Sequence, residues 1–359
     1  MIGVMSTRLS LLSVLVLAGL SPLFVIPGKA QGTRPPGSDF TGPAFTINRI
    51  QEGIYHAVGT GALSVGCNAS IIVNETDVLI VDSNSSPAAA FALTEEMKAI
   101  TAKPVRYVVN THWHWDHAHG NQQYAPGAQV IGHEFTRQML AAGESKRGRS
   151  WDMFVGSLPR QVEELRQQVG TTAEGAARDK LRAQLMAQEN YLKATGAITV
   201  TPPTVTFSES MTLFLGGREI RLLFLGRGHT GGDVVVLLPR ERVLVSGDLL
   251  TAGPAYLGDG YPTEWIATLD RLKNLEFDTV LPGHGAAFQG KAKIDHFQSY
   301  LRDFWSQAQK LHAAGVKPEE AAKLIDLRSH APDYPTLTTV GVLDHGLYRA
   351  YDLMDGKVR

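Results

Sequence analysis

Residues 111–120 read Thr-His-Trp-His-Trp-Asp-His-Ala-His-Gly. His112, His114, Asp116 and His117 fall in an H-x-H-x-D-H pattern directly after the apolar run 107–109. Imidazole nitrogen and carboxylate oxygen suit zinc, with iron and manganese as alternatives. Such a cluster at the end of a core strand needs compensation for its burial, and a metal ion supplies it. Three more segments carry the same residue types. His229 follows the apolar stretch 222–225, Asp248 closes 243–247, and His284 follows 279–281. Each comes directly after a glycine, which frees the backbone to turn the side chain inward. The set of five histidines and two aspartates exceeds one tetrahedral shell. It suits two metals with Asp248 between them.

The elements that would position these residues are strands ending in loops, where a rigid scaffold fixes functional groups. β-Branched runs separated by turn signals predict strands over 54–58, 69–73, 78–81 and 105–109, and a short one at 130–131. Helices are expected at 87–100, with Ser85 or Ser86 as N-cap, and at 133–142. Residues 150–196 change to a Gln, Glu, Arg, Ala and Leu composition with helical periodicity. They read as a helical hairpin inserted in the domain, free to wall a site or to serve only as structure. Strands resume over 198–200, 205–207, 211–215, 219–224, 233–238, 242–245 and 279–281, with a helix at 262–274; from about 291 the chain is mostly helical. Residues 78–82 and 243–248 echo each other as apolar strands ending at Asp82 and Asp248, which hints at related halves.

The 359 residues, 43% apolar and 19% charged, suffice for a large core, and a net charge of −1 offers no basic field for nucleic acid. Residues 1–30 carry Arg8, an apolar stretch at 11–20 and Gly28-Lys29-Ala30. This pattern predicts a secretory signal cleaved near Ala30. The competing reading, an uncleaved anchor, must contend with Pro22 and Pro27 in a stretch short for a bilayer. A periplasmic or secreted location follows, with no membrane contact after cleavage. Residues 31–44 read as a flexible leader. The single cysteine, Cys67, allows no internal disulfide and reads as a small buried residue.

The H-x-H-x-D-H motif with the later His, Asp and His resembles the metallo-β-lactamase superfamily over roughly residues 45–290. The resemblance implies an α/β fold, an αββα four-layer sandwich, here with the helical insertion 150–196 and a C-terminal helical extension over 291–359. It places His112, His114 and His229 on a first zinc ion, Asp116, His117 and His284 on a second, and Asp248 between the two. Asp82 resembles the acid that orients a ligand histidine, although a turn or cap role serves it equally. True zinc β-lactamases of two classes have Cys where this chain has Asp248. Asp is the state in glyoxalase II-like and lactonase-like branches.

Two dications against two aspartates and a hydroxide leave about one net positive charge. In that field a water is largely hydroxide near neutral pH and can attack a small-molecule carbonyl: a β-lactam, lactone, ester or thioester. Asp116 would hold the attacking group in line. Tyr261, beyond Asp248, is a candidate to stabilise the oxyanion, with packing as its alternative. Trp113 and Trp115 are expected to pack around the metal cradle, and His119 to face solvent. The alternative functions are an iron-dependent oxidoreductase of the same fold and a non-catalytic binding module.

Overall fold

The computed structural model describes residues 34–358. The expected signal over 1–30 lies outside the described residues, and so does the start of the leader. Among the described residues, thirteen strands form two sheets. The first runs in sequence order: β1 (Phe45–Gln51), β2 (Ile54–Gly59), β3 (Ala69–Val73), β4 (Val78–Val81), β5 (Val105–Val109), β6 (Gln129–His133) and β7 (Val205–Phe207). The second comprises β8 (Ser210–Leu215), β9 (Arg218–Phe224), β10 (Val234–Leu238), β11 (Val243–Gly247), β12 (Thr279–Pro282) and β13 (Phe288–Gln289), ordered 13-12-11-10-9-8.

The period-2 alternation of a strand sends neighbouring side chains to opposite faces. Val78 and Ile80 of β4 therefore join one core with Leu93 and Met97 of the helix Pro87–Met97. Leu79 and Val81 join another, with Val234, Val236 and Val245 of the second sheet. The outer face of the second sheet, including Val235, Leu237 and Val280, packs on Trp265 and Leu269 of the helix Pro262–Lys273 and on Phe297, Leu301 and Phe304 of the helix Ala292–Ala313. Helix, sheet, sheet and helix form four layers, the expected αββα sandwich. The C-terminal helix Asp344–Met354 adds Leu347 and Ala350 to the same outer core.

The 78–82 and 243–248 echo corresponds to equivalent places in the two sheets. β4 pairs antiparallel with β3 and parallel with β5, and β11 pairs antiparallel with β10 and parallel with β12. The segment 150–196 holds the helices Leu158–Thr171 and Ala176–Gly196 behind a π-helical turn, Asp152–Gly156. Val155, Leu158, Val162 and Tyr191 seat it on Ala88 at the start of the helix Pro87–Met97.

One local expectation fails, and one strand was not foreseen. Residues 198–200 form no strand; three β-prone residues without a partner strand make no ladder. β1 is a strand that the polar residues Thr46, Asn48, Arg49 and Gln51 disguise, because at the sheet edge it has little to bury.

His56 on β2 is buried, and burial of its charged form pushes its pKa down to about 4 against a hydrogen bond to the Gly285 backbone that favours the proton. The unfolded imidazole titrates near 6.5. With the folded value depressed, the contribution is complete above pH ~6.5 and is lost as pH falls toward 4, a loss on the order of 3 kcal/mol. The urea unfolding midpoint should therefore fall more steeply between pH 6.5 and 4 in the wild type than in His56→Gln. Equal slopes would contradict this assignment.

Candidate metal centre

The seven expected ligands converge where the two sheets meet. The loop after β5 brings His112 and His114, and the single helical turn Trp115–Ala118 brings Asp116 and His117. The loops after β9, β11 and β12 bring His229, Asp248 and His284. Six of the seven are buried, and the His284 side chain is 42% exposed.

His114 Nδ1 lies 3.0 Å from His112 Nε2 and 3.0 Å from His229 Nε2. Asp116 Oδ2 lies 3.2 Å from His284 Nε2 and 3.5 Å from His117 Nε2, and those two nitrogens are 3.4 Å apart. Asp248 stands between the groups, with Oδ2 3.3 Å from His284 Nε2 and 3.5 Å from His229 Nε2. The donor atoms of His112, His114 and His229 lie within 4.8 Å of one another, and so do those of Asp116, His117 and His284.

Protons shared among three facing imidazoles cannot relieve all of their nitrogen lone pairs, whereas a divalent cation held by all three would. Burial, reinforced by neighbouring imidazoles, pushes the pKa of His112 well down and that of His229 to about 3. Both rings are thus neutral at pH 7, the form that binds metal. Asp248 Oδ1 is buried with no hydrogen-bond partner among the described residues. A Cβ on Gly283 would collide with that oxygen and with His117 Cε1, so the space is reserved for the cluster. The donor set and its surroundings fit two divalent cations.

A second layer of polar groups aims the rings. Asp82, in the left-handed region at φ 63°, accepts from Thr111 N at 2.8 Å and Thr111 Oγ1 at 2.9 Å, and its Oδ2 lies 2.7 Å from His117 Nδ1. Thr111 Oγ1 is also 3.0 Å from His112 Nδ1. One carboxylate therefore fixes two rings with Nε2 inward. His114 is turned the other way: its Nε2 lies 3.1 Å from Asp259 Oδ2, which leaves Nδ1 facing the centre. Asp259 escaped the sequence reading; its one signal is a lone acid between two glycines in the loop after Asp248. Asp233 holds the His229 loop by accepting from Thr230 N and Oγ1.

The site floors a cavity of about 430 Å³ lined by Trp115, Phe154, Tyr256 and Thr251 beside the donors. Trp115 thus reaches the pocket, its Nε1 donating to Ser150 Oγ at 3.2 Å, while Trp113 is buried edge-on to His114 as expected. Tyr261 is not among the lining residues. Its ring is held between the guanidinium groups of Arg227 at 4.3 Å and Arg349 at 4.5 Å, and it packs at the start of the helix Pro262–Lys273. Tyr256 is the tyrosine that reaches the pocket. His119 does not face solvent: it is fully buried, with Nε2 2.9 Å from Ser145 Oγ and its ring against Trp151. Cys67 is buried as expected, and burial pushes its thiol up to about 12.

The family described as "Metallo-beta-lactamase superfamily" matches residues 64–284. The chain belongs to the metallo-β-lactamase superfamily. A linear primary-alkylsulfatase of Pseudomonas sp. (strain ATCC 19151) is 26% identical over 291 residues, 76% of this chain and 53% of that protein. A type 2 metallo-β-lactamase of Bacteroides fragilis is 31% identical over 115 residues, 30% of this chain and 45% of that protein. The chain spans about half the length of the curated relatives it matches. A solved stereoselective inverting sec-alkylsulfatase from Pseudomonas sp. shares the fold at a TM-score of 0.60 and 17% identity, over 86% of this chain and 50% of that one.

Removing the charge that orients His117 and His112, or the one that orients His114, should weaken metal binding without deleting a candidate ligand. Asp82→Asn, and separately Asp259→Asn, should lose about 10–100-fold in zinc affinity, measured by competition with a chromogenic chelator. Unchanged affinity in both variants would show that these carboxylates do not aim the rings.

Proposed function

We propose that this chain is a hydrolase with two divalent metal ions, zinc foremost, acting on a small-molecule carbonyl-type substrate: an ester, thioester, lactone or β-lactam. One observation carries the reading. Seven metal-type donors from both sheets face one another at the floor of an open pocket, with the outward nitrogens of His117, His112 and His114 engaged by Asp82, Thr111 and Asp259. His112, His114 and His229 would hold one ion, Asp116, His117 and His284 the other, and Asp248 would bridge them.

Two ions there would supply Lewis acidity and lower the pKa of a water to near neutrality. The chain's own groups do the rest. Asp116 orients the attacking water through a carboxylate oxygen. Trp115, Phe154 and Tyr256 exclude bulk solvent from one side of the reacting group, which strengthens the electrostatics inside. Cys67, buried and with its thiol pKa raised, is no nucleophile. No Lys or Arg lines the pocket among the described residues, so a neutral carbonyl enters without a side-chain cation to match it. The similarity to an alkylsulfatase favours a second reading, a sulfate ester, whose anion the metal ions alone would have to neutralise. The complete seven-donor set favours either hydrolytic reading over an iron-dependent oxidoreductase. Export to the periplasm or the medium belongs to the same proposal and rests on the pattern of residues 1–30.

Nitrocefin, a homoserine lactone, an S-acyl glutathione and an alkyl sulfate, assayed side by side, test the reading. At least one of the first three should be turned over. The metal contribution is several kcal/mol, so EDTA should lower the rate by roughly a hundredfold or more, with recovery on added zinc. Hydrolysis that persists in EDTA would contradict the proposal, and turnover of the sulfate alone would select the second reading.

A further inference from the structure

The pocket over the donors is half of a longer depression. A second cavity of about 640 Å³ lies beside it and shares Phe154, Pro254, Ala255 and Tyr256 with it. Either volume suits a small ligand; together they suit an elongated one. The second cavity is lined by Leu257, Phe304, Leu337, Val340, Val342 and Leu343 among others, with no Lys, Arg, Asp or Glu among the described residues. Its rim leaves apolar surface in water: Phe154 and Val340 are each 44% exposed and Leu343 is 61% exposed. Single exposed apolar residues are ordinary, but several around one concavity mark a binding surface.

Tyr256 forms the partition. Its ring centroid lies 5.9 Å from that of His114 and 6.4 Å from that of His229 on the metal side. On the groove side it lies 6.1 Å from His345 and 6.2 Å from Phe154. Its hydroxyl sits where a Cβ on residue 258 would fall, so glycine at that position sets the tyrosine's place. The π-helical turn Asp152–Gly156 supplies Phe154 to the same partition, a use in keeping with the tendency of such turns to occur at functional sites.

We infer that the groove binds a linear aliphatic chain of the substrate, its reacting group over the donors and its chain crossing Tyr256 and Phe154 to lie along Leu337, Val340 and Leu343. The assignment deepens the hydrolase reading and rests on it. Continuity with the donor pocket selects a chain carried by the substrate over a separate partner, and the lack of charge selects methylenes over a polar extension.

Two homologous series test it: p-nitrophenyl acyl esters from acetyl to dodecanoyl, and primary alkyl sulfates from butyl to dodecyl. In whichever series is hydrolysed, kcat/KM should rise about fourfold per methylene until the groove is filled. The double variant Val340→Asp, Leu343→Asp should lower the ratio of decanoyl to acetyl ester kcat/KM by about tenfold or more. A ratio within one variant is insensitive to how much of it folds. Calorimetric titration of the same proteins with butyrate and laurate separates this inference from the hydrolase reading, because it needs no turnover. Laurate should bind more tightly than butyrate in the wild type, and the difference should shrink in the double variant. Equal affinity for the two, a flat chain-length profile, or a preference unchanged by the two aspartates would overturn the groove assignment, whether or not the protein proves to be a hydrolase.

Discussion

The cost of taking metal-type donors out of water governs this molecule. His112, His114, Asp116, His117, His229 and Asp248 are all buried, within a few ångströms of one another. Buried imidazoles and carboxylates without compensation oppose folding. Two kinds of structure offset that cost. Hydrogen bonds to Asp82 and Asp259 and a contact with Thr111 fix the outward nitrogens of His117, His114 and His112, and cations between the inward ones would remove the remaining repulsion. Small residues then keep the cluster closed. Gly283 lies against Asp248 and His117, and Gly66 against Asp116, where any side chain would intrude.

Neither sheet holds the centre alone. The first supplies His112, His114, Asp116 and His117 from the end of β5; the second supplies His229, Asp248 and His284 from β9, β11 and β12. The halves are tied directly at the site: Val234 N donates to Thr111 O at 2.7 Å, and Asn68 N donates to Gly283 O at 2.7 Å. The inter-sheet core of Leu79, Val81, Val236 and Val245 is therefore also the support that sets donor spacing. This is why the four-layer sandwich suits the site. Each sheet packs on both faces, and close packing holds the strand ends that meet at one edge.

Much of this was legible in the sequence. The seven donors sit at strand ends in short motifs whose residue types have few other uses, so spacing alone pointed to them, and the family resemblance suggested their grouping. The strands β4 and β11 were equally plain, because burial on both faces makes them continuous apolar runs. What sequence did not show depends on tertiary contact. Asp259 meets His114 across a separation of 145 residues. Tyr256 and Tyr261 share one loop region and differ only in where the chain turns: Arg227 and Arg349 claim the ring of Tyr261, and Gly258 leaves room for Tyr256 at the pocket. His119 looked like one more polar residue beyond the motif, yet Ser145 and, from the insertion, Trp151 cover it. The edge strand β1 had too little to bury to announce itself.

The superfamily membership and the convergent donors together make the number of metal ions the central physical claim. Native mass spectrometry of the zinc-loaded protein, with elemental analysis of the same sample, measures it directly. Two zinc ions per chain are expected, falling to about one in His229→Ala and in His284→Ala, since each substitution removes a ligand of a different set. A wild-type chain that binds no zinc, or holds a single ion that both variants retain, would contradict the dinuclear centre.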